Sequence, residues 1–395
     1  MPYPKQFINM QFTGGVVRDT APTELGINFL TNVSNVNFRG GFPNRILGSR
    51  NIYTAPIASA NVNQIVHVIN AAQVAGLNRW LIFEGNGEAW AINDASANQI
   101  DNSLLQSVEE PYKHSSSLLN GLPIYSNSVD EPVYWAGGNL ITLPDWTATE
   151  SCKFIAVLKF HIFALNISGP SGTFSNLLKW SSAAEPGTVP SSWTPAADND
   201  AGSVELSDSP GELLCAYPLA DSLIIYKNNS MYSATFIGGN EVFDFRKIQS
   251  SSGALSSRSV CDINGRHLVV TEGDIVITDG VSVQSIGEGI VKNYLFSQLD
   301  ENNFRNLFCV YNPARNEAII AFPTVGNTFC NKALIYDINS QVFGIRDLNQ
   351  AVAGPIGVVN DGSGGGQSVV WADAVGTWAE NTQTWGGGGP GGGSD

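Results

Sequence analysis

Charge is scarce in this chain, and positive charge is scarcer still. Only 14% of its 395 residues are charged, and 20 basic side chains face 35 acidic ones, a formal net charge of −15. That balance argues against a protein that grips nucleic acid by its phosphates, which needs clustered Lys and Arg to release counterions. Histidine occurs only four times and no Cys-x-x-Cys spacing occurs, so no zinc site or other metal site is expected. The five cysteines are an odd number. Cys215, Cys261 and Cys309 lie in apolar runs (LLCAY, SVCDI, LFCVY), where a free thiol behaves as a small buried hydrophobe. No apolar run approaches the roughly 20 residues that span a bilayer. The opening segment MPYPKQFINMQF has no apolar signal-peptide core. The expectation is a chain made in the cytoplasm with reduced thiols. The sequons at Asn32, Asn166 and Asn228 then carry no meaning. Long helical periodicity is missing as well, and the best helix candidate, 292–306, is short.

What the sequence has in quantity is turns and short apolar runs. Glycine occurs 41 times. Asn86-Gly87, Asn120-Gly121, Asn264-Gly265, Asp279-Gly280 and Asp361-Gly362 each stand beside a β-branched or aromatic run, a strong hairpin signal. One pattern occurs twice between 213 and 280. LLCAYP, LIIYK and MYSATF are followed by RSVCDI, HLVVTE and DIVITD, each a set of three strands joined by polar turns. A meander repeated along a chain predicts sheets arranged about an axis. Units of this kind are expected at 62–97, 112–143, 152–206, 213–248, 258–291, 306–347 and 354–385. The predicted fold is all-β, a β-propeller of about six to eight antiparallel blades. Two stacked sandwiches would use the same strands. The domain reading is an extended N-terminal arm over 1–60, the propeller over 61–385, and a flexible Gly-rich tail over 386–395, GGGGPGGGSD. AAEPGTVPSSWTPAADND, in the third unit, reads as an exposed loop.

The catalytic signatures of propellers and of nucleotide enzymes are missing. No Ser-x-Asp-x-Gly-x-Thr-Trp box, Gly-His and Trp-Asp pair, GxSxG elbow or Walker loop occurs. Gly137-Gly138 and Gly238-Gly239 look like kelch diglycines, but two pairs among so many glycines are expected by chance. Asp198-Asn199-Asp200-Ala201-Gly202 lacks the third side-chain oxygen and distal Glu of a calcium loop, and reads as a polar loop. His67, His161 and His267 lie in strand-like runs and read as satisfied, half-buried residues. The acids allow many carboxylate pairs for glycoside hydrolysis, and none is singled out. No catalytic, cofactor-binding or metal-binding residue is assigned and no enzyme activity is expected.

Two sets of residues remain as interface candidates. Arg39, Arg45 and Arg50 form the one basic cluster, which reads as a solvated arm pairing with local carboxylates or as part of an interface. Trp371, Trp378 and Trp385 recur every seven residues in WADAVGTWAENTQTW. They pack the last blade, contact a neighbouring subunit as rigid aromatic anchors, or stack on sugar. Trp193 joins them as a candidate interface ring.

Three ordered segments resemble one family. GGVVRDTAPTEL and NVSNVNFRGGFPNRILGSR, within 14–50, resemble an N-terminal arm. LLKWSSAAEPGTVPSSWTP, at 177–195, is similar to a tryptophan-serine, proline, tryptophan insertion. The stretch 211–280, with its link SSSGALSSRSV, resembles the meander. The family is the β-propeller hub or nozzle proteins of short-tailed bacteriophages, also called tail tubular or DNA stabilisation proteins. The resemblance covers about two thirds of the chain. The chain is short for that family, so the loop insertions of larger relatives have little room, which bears on any tail fibres or spikes it holds.

The resemblance implies a structural subunit of the virion's tail. Such proteins assemble, usually as homo-hexamers, below the portal and the head-tail adaptor ring. They continue the channel through which DNA leaves and help retain packaged DNA. DNA would pass without tight binding, since an acidic wall repels a duplex over a Debye length of about 8 Å. Two readings from other classes stay open: a propeller adhesin that binds host glycan through exposed Trp, and a propeller glycoside hydrolase.

Overall fold

The computed structural model describes residues 12–40, 42–46, 65–71, 80–92, 97–100, 103–239, 241–248, 253–353, 356–358 and 368–370. A hairpin comes first, β1 (Val36–Arg39) and β2 (Phe42–Arg45). The first blade is β3 (Ile65–Asn70), β4 (Trp80–Glu84), β5 (Ala89–Ile92) and β6 (Ala97–Ile100). The second is β7 (Ser115–Leu119), β8 (Leu122–Ser126), β9 (Val133–Trp135) and β10 (Leu140–Thr142). The third is β11 (Ser151–Leu158), β12 (His161–Gly169), β13 (Gly172–Trp180) and β14 (Gly202–Glu205). The fourth is β15 (Leu213–Leu219), β16 (Ser222–Lys227), β17 (Met231–Phe236) and β18 (Phe243–Lys247). The fifth is β19 (Val260–Asp262), β20 (His267–Val270), β21 (Ile275–Thr278) and β22 (Val283–Ser285). The sixth is β23 (Phe308–Asn312), β24 (Glu317–Phe322), β25 (Cys330–Asp337) and β26 (Val342–Ala351). A pair, β27 (Ile356–Val358) and β28 (Ser368–Val370), follows.

Each blade is an antiparallel meander in strict chain order, so the architecture is a six-bladed β-propeller and not a pair of sandwiches. Six of the seven expected units coincide with blades. Of the seventh, 354–385, only β27 and β28 are described, and β27 lies beside β23. The repeat at 213–280 forms the fourth and fifth blades, and each has one strand beyond the three legible in sequence. Those outer strands are FDFRK and VQS. They are short and partly exposed, so neither carries an apolar run.

The turns follow their side chains. Asn120 and Gly121 have φ of 52° and 82°, and Asn264 and Gly265 have 57° and 77°. Both residues of each turn sit in the left-handed region that a tight hairpin needs. The helix expected over 292–306 is shorter, α1 (Lys292–Gln298). Leu299 leaves helical geometry at ψ 132°. Asp300 then accepts the backbone N–H groups of Asn302 and Asn303 at 3.0 and 2.9 Å, which fixes a turn where the helix would have continued.

The core lies between the sheets. Phe163, Leu178, Cys215, Ile224 and Tyr226 belong to one cluster spanning the third to fifth blades. Phe83, Leu81, Tyr125 and Trp135 join the first and second, with the Phe83 and Tyr125 rings stacked at 3.8 Å. Leu268, Ile320 and Phe343 join the fifth and sixth.

The described part of the arm is docked along its length. Strand β1 pairs with β26, which extends the sixth sheet to six strands. Val16 and Phe38 are buried in the cluster between the fifth and sixth blades. Val16 N–H donates to the Phe343 carbonyl at 2.9 Å. Gly15 has φ +76°, and a Cβ there would stand 2.5 Å from that of Val342, so the close approach requires glycine. Asp19 accepts the backbone N–H groups of Asn293 and Tyr294 at 2.7 and 2.9 Å, and Arg18 stacks over Tyr294 at 4.8 Å. The end of the arm, 47–60, and the tail 386–395 lie outside the described residues.

The link between the fourth and fifth blades is packed as tightly. A Cβ on Gly253 would stand 2.0 Å from the Lys227 carbonyl oxygen, and Ala254 N–H donates to that same oxygen at 2.9 Å. The Gly253→Ala variant is expected to lose about 1–3 kcal/mol of stability through displacement of the link. Denaturant titration measures it, and an unchanged midpoint would show that the link yields freely.

Candidate functional site at the axial mouth

A meander sends the links between blades, and the turns between each blade's second and third strands, to one face. On that face the segments entering inner strands β7, β11, β15, β19 and β23 converge on the axis and enclose a cavity of about 280 Å³. Its apolar wall includes Leu213, Leu214 and Leu255, and its polar lining includes Lys113, Lys153, Glu212, Glu272 and Arg305.

Two of these charges, Lys153 and Glu212, are committed to each other. Lys153 Nζ donates to Glu212 Oε2 at 2.6 Å, and Asn166 Nδ2 donates to the same atom at 3.0 Å. Burial opposes ionisation of Glu212, but the hydrogen bond and charge of Lys153, aided by Asn166 and Arg305, hold its carboxyl below the ordinary value. Lys113 is held by Glu110 at 2.8 Å. Arg305 is different. Its guanidinium lies 5.6 Å from the Tyr112 ring centroid and 5.7 Å from that of Phe304. It makes cation–π contacts rather than a salt bridge among the described residues.

Below the mouth the axis is filled. Ser257 Oγ donates across it to the Tyr112 carbonyl at 2.8 Å. Arg258 donates to the Val352 carbonyl and stacks over Phe308 at 5.1 Å, while its Nη1 is buried with no hydrogen-bond partner. His67 meets Ser116 at 2.8 Å through Nε2. Its ring lies 6.3 Å from that of His114 and 5.9 Å from that of Tyr125. His114 donates from Nε2 to the Val108 carbonyl at 3.0 Å, so its Nδ1 accepts from the Tyr125 hydroxyl at 2.6 Å. His267 repeats the pattern in the fifth blade, donating to the Pro218 carbonyl at 3.0 Å and accepting from Tyr226 at 2.8 Å. These polar groups lock neighbouring blades together. Burial also pushes the thiols of Cys215 and Cys309 up.

The residues singled out in sequence are not at this site. Arg39 and Arg45 are exposed, but they do not form a cluster. Val36 pairs with Arg45 and Arg39 with Phe42, so the two arginines occupy opposite ends and opposite faces of the hairpin. Trp193 is corrected as an interface ring: it is buried and packs edge-on against Trp146 at 4.7 Å. Its aromatic surface is already covered by the third blade. Arg50, Trp371, Trp378 and Trp385 lie outside the described residues. Of the three histidines expected to be half-buried, His161 and His267 are fully buried and His67 is intermediate. Asn166 is fully buried. In the 198–202 loop, Asp200 binds Ala183 N–H at 2.9 Å and Asn199 binds Ala201 N–H at 3.1 Å, so it ties itself down as a polar loop. Glu317 and Asp337 pair across β24 and β25, yet Glu317 accepts from Asn37 and Asn312 and Asp337 caps a turn through Asn339. Sequence reasoning passed over Tyr112, Lys153, Glu212 and Arg305. Each precedes or opens an inner strand, and that position was the available signal.

No protein-family model matches the chain, and no curated protein is similar to it. Among solved structures, it is similar to one titled "YCF48 bound to D1 peptide", with 11% identity and a TM-score of 0.42 over 73% of this chain and 83% of that one. It is also similar to the WD40 β-propeller domain of Doa1, with 6% identity and a TM-score of 0.45 over 77% of this chain and 89% of that one. At those scores the architecture rests on the sheet order itself. No helix among the described residues is long and apolar enough to cross a membrane.

The buried histidines make stability depend on pH. Burial lowers the pKa of His114 from 6.5 to about 4 and lowers those of His67 and His267. Between these values the unfolded chain takes up a proton that the folded one refuses. Stability is therefore full above pH 6.5, falls as pH drops, and levels once His114 is protonated in the fold near 4. For His114 alone the loss is about 2 kcal/mol by pH 5. Urea titration across this range measures the slope, and His114→Gln is expected to reduce it, with His67 and His267 supplying the remainder. A pH-independent midpoint would overturn the assignment.

Proposed function

We propose that this chain is a structural subunit of a short phage tail, a hub or nozzle protein of the virion. In this reading copies of it form a ring below the portal and adaptor, continue the DNA-ejection channel and help retain packaged DNA. Three features support it. The segments that carry the family resemblance hold structural positions: the docked arm, the loop on the third blade and the link at the axial mouth. The axis of a single propeller is filled by its own side chains, so a channel for DNA has to run between copies.

The observation that carries the reading is a set of exposed apolar side chains on the face opposite the mouth. Leu118, Phe160, Ile237 and Val281 are 46%, 51%, 54% and 82% exposed. They come from four consecutive blades: Leu118 is near the end of β7, and the others lie at first-to-second or third-to-fourth strand turns, which reach that face. Exposed apolar side chains on one face offer an assembly surface, and the occupant in this reading is the neighbouring subunit of the ring, in a head-to-tail contact. The adhesin reading draws on exposed Trp. Five of the nine tryptophans are buried and Trp180 is half-buried, which leaves it little support among the described residues.

Mass photometry of the chain alone and with portal and adaptor proteins tests the proposal. A closed ring is expected. The double variant Phe160→Ser, Ile237→Ser is expected to keep its stability within about 0.5 kcal/mol while ring dissociation rises at least about tenfold. A monomer that binds neither protein would sink the proposal, and an unaltered ring in the variant would remove this face from it.

A further inference from the structure

We propose that the axial mouth is a recognition site for an acidic peptide segment, in which Arg305 takes a carboxylate and the leucine wall takes an adjoining apolar side chain. The site goes beyond the ring reading, because a single chain supplies all of it.

The argument starts from the state of the three cations. Lys113 and Lys153 already hold Glu110 and Glu212. Arg305 makes no ion pair or hydrogen bond among the described residues, and its guanidinium lies over the Tyr112 and Phe304 rings at 5.6 and 5.7 Å. Its N–H groups are therefore free for a planar bidentate acceptor, and a carboxylate fits that fork better than a single oxygen does.

The rest of the cavity narrows the ligand class. Leu214 and Leu255 are the half-buried part of its apolar wall, with Leu213 buried behind them. The Ser128 and Ser256 hydroxyls are already bonded to the Lys113 and Leu307 carbonyls. About 280 Å³ is the space of roughly two side chains with their backbone. Glu272 also lines the cavity, and its carboxylate favours backbone N–H groups over a second acid. A carboxylate next to an apolar residue on a peptide suits Arg305, the leucines and Glu272 together. The chain's net charge of −15 repels acidic peptides at long range, so affinity for one must come from this local geometry.

The test uses the full chain and two blocked tripeptides, N-acetyl-Leu-Asp-Leu-amide and its Leu-Asn-Leu counterpart, followed by isothermal titration and ligand-observed NMR. The acidic peptide is expected to bind at least about tenfold more tightly than the neutral one. Arg305→Gln is expected to abolish that difference, and Arg305→Lys to restore it only in part because the stacked fork is lost. Thermal melts establish that both variants fold, since Arg305 is exposed. Equal binding of the two peptides, an unchanged preference in Arg305→Gln, or no saturable binding up to about 10 mM would each overturn the proposal. Binding of free N-acetyl-aspartate as tight as that of the tripeptide would point to a small acid instead, and would overturn the peptide.

Discussion

A β-sheet has two faces, and in this protein nearly every blade must bury both. That constraint organises everything else. A sheet with one face wet alternates polar and apolar residues, whereas β4 and β24 are buried at every position. Such strands are stable only between two neighbours, so the blades are mutually dependent. Here the fifth and sixth sheets are backed by the docked arm, and β27 lies beside β23. The arm is therefore part of the core's solution and not an appendage.

The same constraint explains the axis. Inner strands converge there, and their side chains leave too little room for a void but too many polar groups for an apolar plug. The chain places paired polar groups there and between blades. Ser257 reaches Tyr112, Arg258 reaches Val352, and His267 bridges a carbonyl and a tyrosine hydroxyl of the fourth blade. A buried polar group is costly unless paired, so these pairs fix the angular register of the blades. They also keep the histidines neutral. The mouth above them is polar because its residues are links, which must leave one blade and enter the next.

Much of the fold was legible, and the reason is local. Asn120-Gly121 and Asn264-Gly265 announce hairpins because few other residue pairs accept two left-handed conformations in succession. LIIYK and HLVVTE announce central strands because β-branched and aromatic residues pack on both faces. FDFRK and VQS were passed over, since an outer strand is half-solvated and its composition resembles a loop. The helix after Lys292 was read too long, because the side chain of Asp300 stops it by capping a turn and no composition rule sees that. The candidate site was not legible. Tyr112, Lys153, Glu212 and Arg305 are spread over nearly half the chain, and none stands in a motif.

The sequence by itself determined the fold class, the meander order and six of the blade positions, since turn chemistry and strand patterning act between near neighbours. It also determined the acidic balance that argues against phosphate gripping. Only the tertiary structure decided that Trp193 packs inward, that Arg39 and Arg45 face apart, and that the arm is tied to the sixth sheet. It alone placed Arg305 between two rings at the axial mouth. Those outcomes depend on which residues meet after the ring closes, and closure joins positions more than a hundred residues apart, as Ser257 and Tyr112 are.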